Sequence, residues 1–132
     1  MLSKSGTVSR YILGLMFTVF GANGLMMAFN NGVGFIPMPP PPPQMIPIMT
    51  GFMATGYLMT LVALLQFISG VLFLTGFYIN AGIVFLGPIV VNILLIHVFA
   101  EREGLGMGIF TTVLFVILVA SRWADFRPMV RR

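Results

Sequence analysis

The chain has 132 residues, of which 58% are hydrophobic and 8% charged, against roughly 45–50% and about 25% in soluble domains. It has no cysteine, which excludes disulfides, thiolate metal sites and dithiol redox chemistry. The net charge of +4 comes from cations near the two ends of the chain, a distribution that argues against nucleic acid as a partner. This length predicts a single domain over residues 1–132.

A long stretch of the chain is uncharged. Between Arg10 and Glu101 there are ninety consecutive residues without Asp, Glu, Lys or Arg. Soluble domains need charged surface, so we expect lipid to be the solvent for this stretch. In a bilayer only helices and closed barrels satisfy the backbone, and the alternating pattern of barrel strands is absent here. The sequence therefore predicts an all-α membrane protein.

Four apolar runs account for most of the chain. They cover residues 8–29, 57–75, 79–100 and 106–120. A helix that crosses the hydrocarbon core needs about 20 such residues, so the runs predict a bundle of four transmembrane helices. The first run is longer than the apolar core of a signal peptide and lacks a small-residue cleavage motif after it. We therefore expect it to be retained as a helix.

The positive charges predict an orientation. Six of the seven Lys and Arg residues flank the first and last runs, whereas the opposite side has only Arg102, between two glutamates. The positive-inside rule then places both termini in the cytoplasm, for a multi-pass protein of the bacterial inner membrane. Tyr11 and Trp123 would lie at the cytoplasmic interface. The six flanking cations are Lys4, Arg10, Arg122, Arg127, Arg131 and Arg132.

The segment between the first two runs is rich in proline. It holds seven of the nine prolines, and five of these are consecutive: Pro39, Pro40, Pro41, Pro42 and Pro43. Such a run favours a polyproline II rod of about 3.1 Å per residue. We interpret this outer loop as a stiff strap across the mouth of the bundle, with contact to a partner protein as the alternative. The apolar residues 45–57 are too few to span and predict a short interfacial or re-entrant helix.

Polar residues inside the runs are the candidate functional residues, because each needs a partner in the membrane. They are Asn23, Gln66, Asn92 and His97, and we expect Gln66 near the middle of the membrane. Packing is the alternative role for the amides, since interhelical hydrogen bonds average only about 0.6 kcal/mol in membranes. The alternative role for His97 is a hydrogen-bonding anchor near the outer interface.

Small residues recur at helical spacing on the first two runs. Gly14, Gly21 and Gly24 form one stripe, and Ala63 and Gly70 form another that also includes Gln66. Small side chains let helix backbones approach closely in lipid, where interhelical contacts rather than the hydrophobic effect drive association. The two stripes therefore predict close contact between helices.

Several chemistries lack the residues they need. One histidine without cysteine cannot form an ordinary zinc site or a bis-histidine haem site. No carboxylate lies within a run, so we expect no carboxylate dyad and no acid proton relay. The glycines of residues 104–108 lack the preceding strand of a phosphate-binding motif and favour a flexible turn. We therefore expect no intrinsic cofactor, no metal and no enzymatic activity of the chain alone.

Five stretches of sequence suggest a family. They are residues 10–15 together with 20–24, 37–42, 54–58, 87–97 and 125–128, and the most specific are the proline loop and the run GPIVVNILLIH at 87–97. On these stretches the chain resembles the DoxX/DoxX-like family of small four-span bacterial membrane proteins. The resemblance implies a loose link to a thiosulfate:quinone oxidoreductase, to oxidative-stress complexes or to the maturation of other proteins. Family members usually carry a glutamate where this chain has Gln66, so a proton-coupled role is not implied.

Two hypotheses of function follow. The first is a non-catalytic accessory subunit of a larger membrane complex, with lipids and a second copy of the chain as the other partners left open. The alternative is a quinone-associated subunit of a membrane oxidoreductase whose redox centre lies on another chain. Gln66, Asn92, His97 and Tyr57 would then line an apolar pocket and bind the quinone carbonyl oxygens. A transporter fits less well, because four spans without an inverted repeat are not typical of one.

Overall fold

The computed structural model describes residues 3–130, so Arg131 and Arg132, two of the cations used to predict orientation, lie outside the described residues. The described part of the chain is helical and contains no strand. A 3-10 turn, Pro43–Met45, comes before the second helix. The helices are α1 Lys4–Phe29, α2 Ile46–Ala54, α3 Leu58–Thr75, α4 Ile79–Phe99, α5 Leu105–Ser121 and α6 Trp123–Val130.

Three helices, α1, α3 and α4, are long and apolar enough to cross a membrane, with 26, 18 and 21 residues. Helix α5 has 17 residues and coincides with the fourth apolar run of the sequence. It is followed by a bend of 78° into α6, and the two together make a fourth candidate if they are counted as one broken span. The prediction of several apolar helices is therefore confirmed, and the number that could cross a membrane is three or four.

The four long helices contact one another in a ring, in which α1 touches α3 and α5, and α4 touches the same two helices. Neighbours in the ring run in opposite directions. Helix α1 begins, and α5 ends, at what we call the terminal end, which also holds the turn between α3 and α4 and helix α6. The opposite, or loop, end holds the proline loop, α2 and the turn between α4 and α5.

Helices α1 and α3 are in close contact through the predicted small-residue stripes. A Cβ atom at Gly21 would overlap the backbone nitrogen of Phe67 and lie 2.9 Å from the carbonyl oxygen of Ala63. A Cβ atom at Gly70 would overlap the backbone nitrogen of Thr18. Since backbone atoms cannot move aside as a flexible side chain does, only glycine fits at these positions. The predicted close approach is confirmed.

The apolar core is concentrated toward the terminal end. Its centre consists of Leu13, Phe73, Leu86 and Leu118, all 0% exposed. These come from the first half of α1, the second half of α3, the first half of α4 and the second half of α5, which are the halves nearest the terminal end. The remaining buried members of this cluster are Phe17, Ile79, Ile83, Val90 and Leu114.

Helix α6 was not predicted from the sequence, which was interpreted as ending its last helix near Ser121. Polar contacts join α6 to the start of α4: the amide of Asn80 donates to Asp125 at 3.0 Å and accepts from Nε of Arg122 at 2.9 Å. Arg122 also pairs with Asp125 at 2.8 Å. These bonds fix the direction in which the chain turns after α5.

Candidate functional site

An open cavity of about 910 Å³ lies at the loop end, bordered by α1, α2, α3, α4, α5 and the proline loop. We call it the main cavity. Most of its wall is methionine, phenylalanine and proline, and four consecutive prolines, Pro39–Pro42, lie along one side. Five polar side chains also line it: Asn23, Gln66, His97, Glu101 and Thr111. Glu101 is the one formally charged residue among them, so the cavity is apolar with a single acidic corner.

A second cavity, of about 490 Å³, lies between α2, α3 and α4. It shares five lining residues with the main cavity, so the two cavities are neighbours; the shared residues are Met45, Met49, Met59, Gln66 and Ile93. Asn92 lines this second cavity and is exposed on the surface of the chain. An amide carries both donors and an acceptor, so Gln66 can bond a ligand in either space.

The structure brings together some of the residues proposed from the sequence. Gln66 and His97 line the main cavity together with Asn23. Asn92 lines only the second cavity, and Gln66 is the one other proposed residue there. Tyr57 is 63% exposed and lines neither cavity, because it precedes the first turn of α3 and faces outward. The four proposed pocket residues therefore do not converge on one space.

Asn23 holds the proline loop against α1. Its side chain is buried at 3% exposure, and its Oδ1 accepts a hydrogen bond of 2.9 Å from the backbone N–H of Ile36. Gly34 lies so close that a Cβ atom there would overlap Oδ1 of Asn23. One buried amide on α1 and one glycine in the loop thus determine where the loop begins to cross the cavity. Pro43, the last of the five consecutive prolines, starts the 3-10 turn.

His97 and Glu101 form a hydrogen-bonded pair at the edge of the main cavity. Nδ1 of His97 lies 2.7 Å from Oε2 of Glu101 and 3.2 Å from its carbonyl oxygen. The other carboxylate oxygen, Oε1, accepts a bond of 2.8 Å from the N–H of Gly104. Glu101 is only 8% exposed, so this carboxylate is buried and bonded through both of its oxygens.

Two glycines make room for this pair, one just before α5 and one in its first turn. A Cβ atom at Gly104 would overlap the imidazole of His97 and lie 2.6 Å from Oε2 of Glu101. A Cβ atom at Gly108 would lie 2.9 Å from Cδ2 of the same ring. The imidazole therefore rests on bare backbone at the start of α5. The expected flexible turn is wrong for Gly106 and Gly108, which lie within that helix.

Sequence reasoning missed two residues of the site, Glu101 and Thr111. From the sequence alone, Glu101 was considered only as one of the two glutamates beside Arg102, although its spacing of four residues from His97 places both on one helical face. Thr111 is buried on α5 and lines the main cavity. No signal beyond helical periodicity distinguishes it from the other small residues of that helix.

Comparison with protein-family models, curated proteins and solved structures gave no match for this chain. The similarity to the DoxX/DoxX-like family therefore stays a prediction based on the five sequence stretches. The two cavities and the polar groups around them are the features from which a function can be inferred.

Proposed function

We propose that this chain is an accessory subunit of a larger membrane complex and that it holds a quinone-class molecule in the main cavity. The observation that carries the proposal is an apolar cavity of about 910 Å³ with a few polar groups at its edge. Binding pockets for small molecules have volumes of about 300–1,000 Å³ and this same composition. Volume and lining together support a ligand that is mostly apolar, with a small polar head.

The residues of the main cavity fit a quinone. The amide of Gln66 can donate to a carbonyl oxygen of the head group, and His97 offers a second polar contact on α4. Methionine side chains such as Met59 and Met107 adapt to a flat ring, and sulfur–aromatic contacts contribute about 0.3–1.5 kcal/mol. When bound, a quinone supplies two-electron, two-proton chemistry. The chain itself contributes binding and orientation, and screens the head group from lipid and water.

A partner is part of the proposal because the chain has no cysteine and a single histidine. These residues cannot hold an iron–sulfur cluster or a bis-histidine haem, so electrons would come from a redox centre on another subunit. The accessory-subunit and quinone hypotheses then describe one protein. Membership of the DoxX/DoxX-like family belongs to the same proposal. That family usually has a glutamate at the position of Gln66, so in this chain α3 offers an uncharged amide to the ligand.

In the proposed membrane arrangement α1, α3, α4 and the broken pair α5–α6 all span. Lys4, Arg10, Arg122 and Arg127 belong to the terminal end, which we assign to the cytoplasm of a bacterial inner membrane. The proline loop, α2 and both cavities then lie toward the outer face. The second cavity lies between α3 and α4 and is bordered by the exposed Asn92. In this arrangement it would let a ligand enter from the lipid.

Ligand content tests the proposed function. Protein purified in mild detergent from its native membrane should yield close to one quinone per chain on solvent extraction. Replacing Gln66 by Leu removes the central amide and should lower this yield severalfold. Gln44→Leu is the matched control, because Gln44 is exposed and lines neither cavity. A yield far below one in the wild type, or equal losses in both variants, would contradict the assignment of the cavity.

The partner can be tested in the same preparation. Mass spectrometry of the tagged chain should recover a larger enzyme in constant ratio, and recovery of the chain alone would overturn the subunit role. Orientation has its own test, made simple by the absence of native cysteine. A cysteine at Pro41 should react with an impermeant thiol reagent in whole cells and one at Arg127 should not; the reverse pattern would invert the proposed topology.

A further inference from the structure

The surroundings of His97 determine which of its ring nitrogens carries a proton. Two oxygens face Nδ1: Oε2 of Glu101 at 2.7 Å and the backbone carbonyl oxygen of Glu101 at 3.2 Å. A carbonyl oxygen can only accept a hydrogen bond, so a lone pair on Nδ1 would face a second lone pair. A proton on Nδ1 instead satisfies both oxygens. The neutral imidazole is therefore held as the Nδ1–H tautomer.

Glu101 is kept in place to enforce this tautomer. Its Oε1 accepts from the N–H of Gly104 at 2.8 Å, so both carboxylate oxygens act as acceptors. Gly104 and Gly108 leave no side chain between α5 and the ring, and a Cβ atom at either would come within 3 Å of the imidazole. The ring cannot turn over without disturbing these contacts. In the neutral ring Nε2 then keeps its lone pair.

We propose that Nε2 of His97 accepts a hydrogen bond from a hydroxyl group of the bound molecule, so that the main cavity prefers the quinol form to the quinone form. This inference rests on the proposed function and specifies the ligand further. A quinol carries ring hydroxyls that can donate, whereas a quinone carries only carbonyl oxygens, which would face the lone pair of Nε2 unfavourably. Glu101 acts here as a positioning residue, since it sets the proton on His97 rather than touching the ligand.

The other polar groups of the main cavity do not discriminate between the two forms. Gln66 and Thr111 each carry a donor and an acceptor and can bond either a hydroxyl or a carbonyl oxygen. Both polar atoms of the Asn23 side chain have partners within the chain: Oδ1 accepts from Ile36, and Nδ2 donates to Sδ of Met27 at 3.6 Å. Arg102 and Glu103, the charged neighbours in the turn after α4, are exposed and line neither cavity. Selection between quinol and quinone therefore falls to His97.

A Glu101→Gln variant tests the inference because it should change which ring nitrogen of His97 carries the proton. The N–H of Gly104 still needs an acceptor, so the amide oxygen of the new side chain is expected to remain on it. The amide NH₂ then takes the position of Oε2 and donates to Nδ1. The donor at 2.7 Å from Nδ1 outweighs the carbonyl oxygen that remains at 3.2 Å, so we expect the imidazole to switch to the Nε2–H tautomer and the preference of the cavity to move from quinol to quinone.

The first measurement is ¹⁵N NMR of protein labelled at the imidazole, where His97 is the only histidine and gives an unambiguous pair of signals. The wild type should show a protonated Nδ1 and an unprotonated Nε2, and Glu101→Gln the opposite. A protonated Nε2 in the neutral wild-type ring would overturn the proposal. The wild-type spectrum alone tests the proposal, so the test still holds if Glu101→Gln does not fold.

The second measurement is binding of tetramethylhydroquinone and of tetramethylquinone to the purified protein under anaerobic conditions. One hydrogen bond gained or lost corresponds to roughly a 2- to 10-fold preference for the hydroquinone. His97→Phe keeps a ring on the two glycines and should bind both probes equally. Equal binding by the wild type overturns the inference but leaves the proposed function standing. Binding of neither probe overturns both.

Discussion

At the terminal end Leu13, Phe73 and Leu86 interlock without exposure, whereas at the loop end Met27, Met59 and Met107 surround a cavity of about 910 Å³. Both ends are built from the same helices, and hydrophobic residues line both. Side-chain shape distinguishes them. Branched and aromatic side chains fill space in few, fixed rotamers, whereas methionine is unbranched and tolerates irregular gaps. This difference accounts for the closely packed terminal end and the cavity at the loop end.

Leu86→Ala should give the largest loss of stability, because it opens a gap in the closely packed core of the terminal end. Large-to-small substitutions at fully buried sites cost about 2–5 kcal/mol of the free energy of unfolding. The matched control is Leu95→Ala on the same helix, where the leucine is 46% exposed and faces outward. Thermal unfolding in detergent should show a much lower midpoint for Leu86→Ala alone. Similar midpoints for the two variants would mean that the terminal end is not the closely packed one.

Gly21→Ala should come next, since it tests the contact of α1 with α3 that connects the two ends. The added methyl group meets the backbone of Phe67, and such overpacking costs about 1–3 kcal/mol. Gly51→Ala is the control: nothing lies within 4 Å of a Cβ atom there, so the better helix former should stabilise α2 by about 0.5–1 kcal/mol. The comparison breaks down if both variants change the unfolding midpoint in the same direction.

Asn23→Ala should give the smallest loss of stability, because it affects only how the loop is held. The N–H of Ile36 loses its acceptor at a cost of about 1 kcal/mol, and the loop is released from α1. Hydrogen exchange at Ile36 should accelerate while exchange in the terminal core stays unchanged. Asn30→Ala removes another loop contact, an exposed bond of 3.2 Å to Val33, and should leave exchange at Ile36 as in the wild type. Faster exchange throughout the chain would show instead that the loop supports the whole bundle.

The helices and their closest contact could be predicted because each depends on local sequence. The apolar runs end where Asn30, Gly76 and the charges at 101–103 make further helix or burial unfavourable. Helices α1, α3 and α4 end within two residues of those points. The glycine stripe of α1 needed only helical periodicity. The number of spanning helices could not be settled in this way, since α5 and α6 are separated by a bend.

The site was harder to predict because its parts come together only in the folded chain. Glu101 lies just beyond the end of α4 and looks like a surface charge until Gly104 supplies its second bond. Tyr57 has the chemistry of a quinone contact, but the start of α3 turns it outward, and its side chain is 63% exposed. The bond from Ile36 to Asn23 joins residues thirteen positions apart across a loop, and no periodic pattern relates them.

The five prolines of the loop have a consequence for anything that approaches the protein from that side. Proline has no N–H group, so residues 39–43 present carbonyl oxygens and ring surfaces but no backbone donor. An incoming strand needs alternating donors and acceptors to extend a sheet, and it cannot pair with this segment. A protein that recognises the loop would have to do so through an aromatic groove, as polyproline ligands are bound. The same composition that leaves these residues without backbone donors beside the cavity thus protects the loop from edge-to-edge aggregation.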